Sequence, residues 1–484
     1  MIRCTRVALF AALGLAMAAP AFAGVDLIAT GQLDGHGGDL AYRTSGPLEN
    51  NVPGNVLGGL GSGLAYAGCN TFLALPDRGP NAVAYDALAD DTTSYIDRFQ
   101  TLRMTLEPSA PGAALPFTLS PRLRDTTLLA DLFPLYYGDG TAVNLPNGRP
   151  ALNRPFRNYF TGRSDNAAPG LPSGSPFNAR LDPEGIRVSG DGESVYVSDE
   201  YGPYIYRFDR RSGVRTMAYR LPAMLGVAHT APTGDAEIDG NTSGRLANKG
   251  MEGLAISPDG RTLTGIMQSP LLQDGGKNAA TTRIVQLDLA TGRTRQYAYP
   301  LTNLGSASKP KYTTVSEIVA INDHEFLVDE RDGKGFGDGS SASFKHLMRI
   351  DLSHAQEVSE ISGADALAAA AVSKQDFLDL VAVLGAHGVA PEAIPAKIEG
   401  VAFGPNVMRD GHRMHTLFVA NDNDFLPTVT DEVYPQGADN PNRFFVFGFD
   451  DADLPGYQPQ RFARAHGWGH GFGHDHVDER CHGE

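Results

Sequence analysis

One phrase recurs five times along this chain of 484 residues and limits how the chain can fold. Each copy has a small or acidic residue, usually followed by Gly, then an apolar strand, a polar turn and a second apolar strand that ends in an acid or an amide. Self-similarity at a regular spacing is typical of an architecture assembled from repeated units. The five copies are residues 60–80, 180–203, 249–270, 315–333 and 397–425.

A third apolar strand follows several copies, and two of these third strands lead through a turn into a fourth. Each unit therefore predicts a four-stranded antiparallel meander. Such a sheet cannot bury both of its faces alone, whereas copies packed radially can. The sequence predicts an all-β fold, a β-propeller of four-stranded antiparallel blades. We expect six blades because residues 26–44 and the segment after Asp450 could complete one more, with five or seven as alternatives.

The chain divides into three predicted parts. Residues 1–23 read as a signal peptide, with Arg3 and Arg6 before an apolar run and Ala21-Phe22-Ala23 at the cleavage site. Residues 24–460 form a single propeller domain, and residues 461–484 form a disordered tail rich in His and Gly. Three insertions interrupt the meanders: 108–178, 222–247 and 363–390, the last with a surface helix over 373–386 that is capped by Ser373 and Asp376.

Charge and cysteine content limit the binding partners and the cellular location that we expect for this chain. The formal charge of −16 becomes −18 after cleavage, because Arg3 and Arg6 leave and no acid does. An acidic shell repels nucleic acid and anionic membranes and attracts cations. No apolar run is long enough to span a membrane. We expect export to the periplasm or the medium, a monomer, and two unpaired thiols at Cys69 and Cys481 or at most one incidental bridge.

The repeated acids are predicted to meet at one mouth of the propeller. The innermost strands of all blades run the same way along the central channel, so residues that open these strands share one end. The antiparallel second strands return to that end and bring further acids. The predicted set is Glu184, Glu252, Glu317 and Glu399 on the inner strands, with Asp77, Asp199, Glu200, Glu330 and Asp422 on the second strands.

Carboxylates gathered in this way must take up protons or a cation. Hard oxygen ligands from several elements suit Ca²⁺, and the repeated positions hold no His or Cys that would favour Zn²⁺. The alternative is that each Glu binds backbone amides of the next blade and serves only the fold. Four bases accompany the acids and could bind phosphoryl oxygens, or could instead form intrablade salt bridges: Arg78, Lys249, Arg331 and Lys397.

The motif set resembles the phytase-like family of exported bacterial proteins, described as "esterase-like activity of phytase". The resemblance covers residues 50–450 and rests on the runs "LPDRGP", "DPEGIRV…VYVSDEYGPYIYRFD", "NKGMEGLAISPDG", "VSEIVAI…EFLVDERD" and "KIEGVAF…VANDNDF". It implies a β-propeller whose repeated Glu and Asp carry phosphomonoester or phosphodiester hydrolysis. This chain departs from the pattern at Ser62, where the other copies have Glu, and at Ile318, where they have Gly.

We therefore predict an exported Ca²⁺-dependent hydrolase of phosphate esters that acts on a small molecule. The four inner-strand glutamates are the expected catalytic groups and, with the five second-strand acids, the expected metal ligands; the four bases are the expected substrate-binding groups. One alternative is a lactonase or carboxylic esterase that uses a single metal. Another is a non-catalytic propeller that binds a ligand and uses the cation for stability.

Other motifs are weaker. The sequence has no G-x-S-x-G elbow and no P-loop, which argues against a serine α/β-hydrolase and a P-loop nucleotide site. Residues 235–240, "DAEIDG", imitate the start of an EF-hand loop, but Leu246 stands where the closing Glu belongs. The five histidines of the tail and Cys481 could bind Zn²⁺, Ni²⁺ or Cu²⁺ loosely, and we expect the tail to be dispensable for hydrolysis.

Overall fold

The structure is a computed structural model that describes residues 24–82, 85, 89–138, 148–168 and 170–462. The predicted signal peptide and nearly all of the predicted tail lie outside these residues. The first eleven strands are β1 (Asp26–Leu33), β2 (Gly63–Tyr66), β3 (Thr71–Leu75), β4 (Arg98–Pro108), β5 (Phe117–Leu128), β6 (Ala130–Asp131), β7 (Asn158–Tyr159), β8 (Pro183–Val188), β9 (Ser194–Asp199), β10 (Tyr204–Asp209) and β11 (Arg215–Arg220).

The remaining strands are β12 (Met251–Ile256), β13 (Thr262–Met267), β14 (Thr281–Asp288), β15 (Thr294–Pro300), β16 (Thr314–Ala320), β17 (Glu325–Arg331), β18 (Lys345–Asp351), β19 (Lys374–Asp379), β20 (Ile398–Phe403), β21 (Val407–Arg409), β22 (His412–Asn421), β23 (Thr428–Val429), β24 (Ala438–Asp439) and β25 (Asn442–Phe449). The α-helices are α1 (Gly234–Asp239), α2 (Ala364–Ala369) and α3 (Leu380–Ala386). Short 3₁₀ turns occupy Tyr42–Thr44, Glu49–Asn51, Ala223–Leu225, Leu272–Asp274, Gly276–Asn278 and Pro391–Ala393.

Five antiparallel sheets form the blades of a propeller. In order from the inner strand outward, blade 1 is β2-β3-β4-β5, blade 2 is β8-β9-β10-β11, blade 3 is β12-β13-β14-β15, blade 4 is β16-β17-β18-β19 and blade 5 is β20-β22-β25-β1. The inner strands contact one another in the closed sequence β2, β8, β12, β16, β20 and back to β2. This ring confirms the predicted propeller of four-stranded antiparallel blades.

The blade number differs from the six expected, since the described residues form five. Strand β1, which was assigned to a further blade, pairs antiparallel with β25 and is the outer strand of blade 5. The amino-terminal strand therefore closes the ring by completing a sheet whose other strands come from the carboxy-terminal end. Residues 450–462 add no sheet; they form turns and an irregular segment.

Each interface between neighbouring blades encloses its own apolar core. Between blades 5 and 1, for example, the rings of Phe72 and Phe418 lie 4.5 Å apart, and Ile28 of β1 is fully buried in the same cluster. Because apolar faces meet at every interface, the stability of the whole ring depends on its closure.

Replacing Ile28 by Ala is expected to lower the free energy of unfolding by about 2–5 kcal/mol, as large-to-small changes in a packed core do. Thr30, on the same strand but exposed, is the matched control, and Thr30→Ala should change stability by less than about 0.5 kcal/mol. Urea unfolding of both variants tests this; equal stabilities would show that β1 does not close the ring.

Two insertions contain blade strands that the sequence reading missed. The segment 108–178 includes β5, the outer strand of blade 1, before its irregular part begins. Within 363–390, only the second half of the segment predicted as a helix (373–386) is helical. Residues 374–379 form strand β19, and helix α3 follows. Asp379 caps α3 by accepting a hydrogen bond from the Ala382 amide at 3.0 Å, so the predicted caps Ser373 and Asp376 are wrong.

Cys69 lies in the turn between β2 and β3 and is disulfide-bonded. The expectation of two unpaired thiols is therefore wrong, and the alternative of one bridge holds; the partner lies outside the described residues. None of the helices in the described part of the chain is long and apolar enough to cross a membrane.

Candidate functional site

A β-bulge near the start of the inner strands aims the repeated glutamates. In β12 the pairing with β13 skips Glu252, and in β20 the pairing with β22 skips Glu399. In β8 the same irregularity spans Glu184 and Gly185. A bulge leaves its extra residue unpaired and redirects the side chain, which is why bulges occur beside functional sites. The three glutamates consequently project into one cleft at the mouth of the channel.

The glycine after each glutamate allows the inner strands to approach closely. A Cβ atom on Gly185 would lie 2.6 Å from the Cβ of Leu254 in the next blade, and one on Gly253 would lie 2.7 Å from the Ile318 nitrogen. Side chains cannot be accommodated at such distances. In each Glu-Gly pair the glutamate therefore faces the cleft, and the glycine allows the neighbouring inner strand to pack closely.

In blade 4 the bulge falls one residue earlier than the sequence repeat predicts. The residue skipped in β16 is Ser316, whereas Glu317 pairs with Asp329 and occupies the position that Gly253 holds in blade 3. A slip of one residue turns a strand side chain to the other face. Glu317 is therefore absent from the cleft lining, and Ser316, like Ser62 in blade 1, stands at the glutamate position. The expected ring of four glutamates contains three.

The cleft has a volume of about 510 Å³. Nine of the thirteen predicted site residues line it: Asp77, Arg78, Glu184, Lys249, Glu252, Arg331, Lys397, Glu399 and Asp422. The other four do not. Asp199 accepts backbone hydrogen bonds from Tyr201 and Asp182, and Glu330 accepts from the Tyr299 hydroxyl at 2.5 Å. Glu330 also binds Thr313 and Lys374, so its contacts serve the packing of blades 3 and 4.

Glu200 lies directly behind the cleft and completes a cluster of three carboxylates. One oxygen each from Glu184, Glu200 and Glu252 falls within 4.8 Å of the others, and the three residues are only 6, 1 and 4% exposed. Gly250 donates to Glu200 Oε1 at 2.9 Å, and Gln268 donates to Glu252 Oε1 at 2.7 Å. The Oε2 atoms of Glu200 and Glu252 have no hydrogen-bond partner within the described residues.

Burial and mutual repulsion oppose ionisation of this cluster. Burial, followed by the charges of Glu252 and Asp182, raises the pKa of Glu184 well above its ordinary value. Burial and the neighbouring Glu399 raise the pKa of Glu252 to about 8, and burial raises the pKa of Asp199 nearby to about 7. The three-carboxylate cluster therefore requires either protons or a cation near neutral pH.

A second carboxylate cluster also contains Glu184, and an arginine offsets part of its negative charge. Oxygens of Asp77, Asp182 and Glu184 also lie within 4.8 Å of one another. Here the Arg78 guanidinium lies 3.4 Å from both Asp77 and Asp182, and the Arg78 amide donates to Asp182 at 3.0 Å. Asp182 was not among the predicted residues, although it stands two positions before Glu184 in the quoted run "DPEG".

Three of the four predicted bases already pair with acids. Arg78 bridges to Asp182 in blade 2, and Arg331 of blade 4 pairs with Glu399 of blade 5. Lys397 pairs with Asp422 at 2.8 Å and with Asp424. Burial would raise the pKa of Asp422, but Lys397 outweighs it and lowers this pKa. The pairs of Arg78 and Arg331 cross between blades, so the expected intrablade bridges are only part of the arrangement.

Lys249 is the exception among the bases. Its Nζ donates to Gln268 Oε1 at 2.9 Å, and it forms no ion pair with any residue that the structure describes. Gln268 in turn donates to Glu252, so one amide links the lysine to the carboxylate cluster. Among the four predicted bases, Lys249 is therefore the one whose charge is available to an anion.

Several lining residues lie in loops outside the repeat, which is why the sequence did not point to them: Asn248, Leu304, Lys311, Tyr312, Lys334 and Asp338. The backbone is strained at the same mouth. Asn248 has φ 53° and Asp424 has φ 52°, a conformation that L side chains seldom adopt.

The residues that build this cleft lie within a segment that matches a known protein family. A family model described as "Phytase-like: Esterase-like activity of phytase" matches residues 55–425, which include all nine predicted lining residues. The chain belongs to this family. An uncharacterized secreted protein of Arthroderma benhamiae is 30% identical over 306 residues, which are 54% of this chain and 55% of that protein. The chain therefore spans about half the length of this curated relative.

Solved propeller structures align with this family member only loosely. The periplasmic gluconolactonase PpgL of Pseudomonas aeruginosa is 11% identical, with 82% of this chain and 91% of that chain covered and a TM-score of 0.31. A putative 6-phosphogluconolactonase of Bacteroides uniformis is 12% identical, with coverages of 79% and 88% and a TM-score of 0.31. The calcium-binding protein regucalcin of Agrobacterium tumefaciens is 9% identical, with coverages of 84% and 94% and a TM-score of 0.30.

Proposed function

We propose that this phytase-like propeller is an exported, Ca²⁺-dependent hydrolase of phosphate monoesters or diesters. The observation that supports it is the combination of unpartnered buried carboxylate oxygens with an available base. The oxygens belong to Glu252, which lines the cleft, and Glu200, which lies behind it, and the base is Lys249, which forms no ion pair with a described residue. Carboxylates without partners favour a cation, and an available cationic side chain beside them favours an anionic substrate.

The donor set fits Ca²⁺. Glu184, Glu200 and Glu252 offer hard oxygen ligands within 4.8 Å of one another, and none of the cleft-lining residues is His or Cys. The unpartnered Oε2 atoms are the ones that would bind a cation, since the Oε1 atoms of Glu200 and Glu252 already accept hydrogen bonds. A Ca²⁺ ion bound there would supply Lewis-acid stabilisation of negative charge on the phosphoryl group.

The protein groups would divide the remaining work. Lys249 neutralises a phosphoryl oxygen, and Gln268 holds the lysine and Glu252 in a fixed relation. Arg78 offers a second positive charge at the cluster that shares Glu184, although it shares that charge with Asp77 and Asp182. Arg331 and Lys397 hold the acids of blade 5 in place, and Lys397 lowers the pKa of Asp422. Transition-state charge is stabilised best by groups that are fixed in advance, as these are.

Hydrolysis of p-nitrophenyl phosphate and bis(p-nitrophenyl) phosphate by residues 24–484 tests the proposal. We expect turnover of at least one ester that disappears with a chelator and returns with Ca²⁺. Hydrolysis of a lactone or carboxylic ester without any phosphate ester turnover would replace the proposal by the lactonase alternative. A Ca²⁺-induced rise in Tm with no turnover of any ester would indicate the non-catalytic alternative.

Replacing Lys249 by Met is expected to lower kcat/KM for the preferred phosphate ester by about 10²-fold, because the base that stabilises developing charge is lost. Lys277, an exposed residue of blade 3 outside the cleft, provides the matched control, and Lys277→Met should retain activity. Steady-state kinetics at saturating Ca²⁺ make the comparison. Equal kcat/KM for the two variants would remove Lys249 from substrate binding.

A further inference from the structure

An arginine on the inner strand of blade 2 contacts the inner strands of several blades beneath the cleft. Arg187 Nη1 donates to the carbonyl oxygens of Leu64 at 2.7 Å and Ile186 at 2.6 Å. Its Nη2 donates to the carbonyls of Ile318 at 3.0 Å and Val401 at 3.5 Å. These acceptors belong to the inner strands of blades 1, 2, 4 and 5, so one guanidinium joins four blades.

Glu317 supplies the contact to the fifth blade. Its Oε1 accepts from the Leu254 amide of blade 3 at 2.9 Å and from the Ile318 amide at 3.0 Å, while Oε2 lies 3.0 Å from Arg187 Nη2. Both residues are buried, at 6 and 1% exposure. A charge taken out of water is costly unless it is paired and hydrogen-bonded. Burial raises the pKa of Glu317 to about 7, although Arg187 and the two backbone amides favour its ionised form.

Arg187 and Glu317 contact each inner strand at the same place, two residues after the position that faces the cleft. Their strand partners in blades 2, 3 and 5 are Ile186, Leu254 and Val401, each two residues after the cleft glutamate of its strand. In blades 1 and 4 they are Leu64 and Ile318, two residues after Ser62 and Ser316. Two residues along a strand span about 6.6 Å, so the pair lies one layer below the carboxylates.

The opposite end of the channel is covered by the segment after blade 5. Gln460 Nε2 donates to the Val188 carbonyl at 2.7 Å, and the Gln458 and Arg461 amides donate to the Ile321 and Pro258 carbonyls. A cavity of about 70 Å³ separates this segment from Arg187. The Arg187–Glu317 pair is thus enclosed from below and is absent from the residues that line the cleft above.

We infer that Arg187 and Glu317 are positioning residues for the cation site, because they fix the spacing of the five inner strands that present the cleft side chains. Neither residue is needed to touch the cation or the substrate. The inference rests on the proposed Ca²⁺ site. It assigns a role in that site to two residues that lie below the carboxylates and do not bind the ion. Displacement of a ligand set by even 1 Å has large effects on function, and groups behind the ligands commonly tune metal affinity by 10- to 100-fold.

Calorimetric titration of Ca²⁺ into the chelator-treated protein tests the inference without measuring turnover. We expect Arg187→Met and Glu317→Gln each to raise the Kd for Ca²⁺ at least tenfold at a temperature where both remain folded. Arg283 is the matched control, since it is a fully buried arginine that pairs with Asp274 at 2.7 Å in blade 3 away from the channel. Arg283→Met should lower Tm and leave the Kd unchanged.

The outcomes separate the two proposals. An unchanged Kd in folded Arg187→Met and Glu317→Gln proteins would overturn the positioning role while leaving the Ca²⁺ site intact. If Arg187→Met does not fold, Arg187→Lys and Glu317→Gln decide, because both keep the charge or the shape of the original residue. Absence of Ca²⁺ binding by the unaltered protein would overturn the proposed site and this inference together.

Discussion

Replacing Glu252 by Gln is expected to abolish phosphate ester hydrolysis while the protein remains folded. Glu252 projects from the bulge of blade 3, and its unpartnered Oε2 is one of the oxygens available to a cation. An amide retains the hydrogen bond with Gln268 in shape but carries no charge for Ca²⁺. We expect kcat/KM to fall by about 10²- to 10³-fold, the scale associated with loss of one preorganised electrostatic group.

The measurement combines kinetics with Ca²⁺ binding. The Glu252→Gln protein should show weakened Ca²⁺ binding by calorimetry and a circular dichroism spectrum like that of the unaltered protein. Glu325 is the matched control, because it stands at the other end of the strand that carries Arg331 and pairs with Arg349. Glu325→Gln should retain activity. Unchanged kcat for Glu252→Gln would remove this residue from the mechanism.

The second large effect concerns stability and pH. In the Ca²⁺-free protein the free energy of unfolding is expected to fall as the pH rises from 5 to 8. Burial raises the pKa of Glu252 from 4.5 to about 8 and that of Asp199 from 3.8 to about 7. Between each pair of values the folded protein holds a proton that the unfolded chain has released. Each such group lowers the stability by about 1.4 kcal/mol per pH unit across its window.

Ca²⁺ should reverse this trend, because it binds the ionised carboxylates of the folded protein and stabilises that form. Asp422, whose pKa is lowered, affects stability only below its ordinary pKa of 3.8 and so does not contribute between pH 5 and 8. Urea unfolding at several pH values, with chelator and with Ca²⁺, makes the measurement. Glu252→Gln should flatten the chelated curve. A Ca²⁺-free stability that rises from pH 5 to 8 would contradict the compensation argument.

The sequence could be read correctly where the chain repeats itself. Repeated apolar strands separated by turn residues predicted four-stranded units, and radial packing is the way in which such sheets bury both faces. The same repeat placed Glu184, Glu252 and Glu399 at one end of the inner strands, and the structure gathers them in one cleft. These features are local or follow from symmetry, so a single sequence contains the information they require.

The repeat misled where a unit departs from it by one residue. The "VSEI" of blade 4 places an acid beside an apolar strand, as the other copies do, yet Ser316 takes the bulge and Glu317 turns into the channel to meet Arg187. Register is decided by pairing with β17, which a sequence window does not show. The choice between six blades and the alternative of five could not be made from the sequence for a similar reason, since β1 pairs with β25 across more than 400 residues.

The sequence by itself determined the architecture of the blades, the family resemblance and most of the acids and bases of the cleft. Only the tertiary structure decided how those charges pair: Arg78, Arg331 and Lys397 are committed to acids, while Lys249 and the Oε2 atoms of Glu200 and Glu252 are not. The physical reason is distance. Charges interact over a few ångströms, and neighbours at that range come from different blades whose spacing is set by the closed ring.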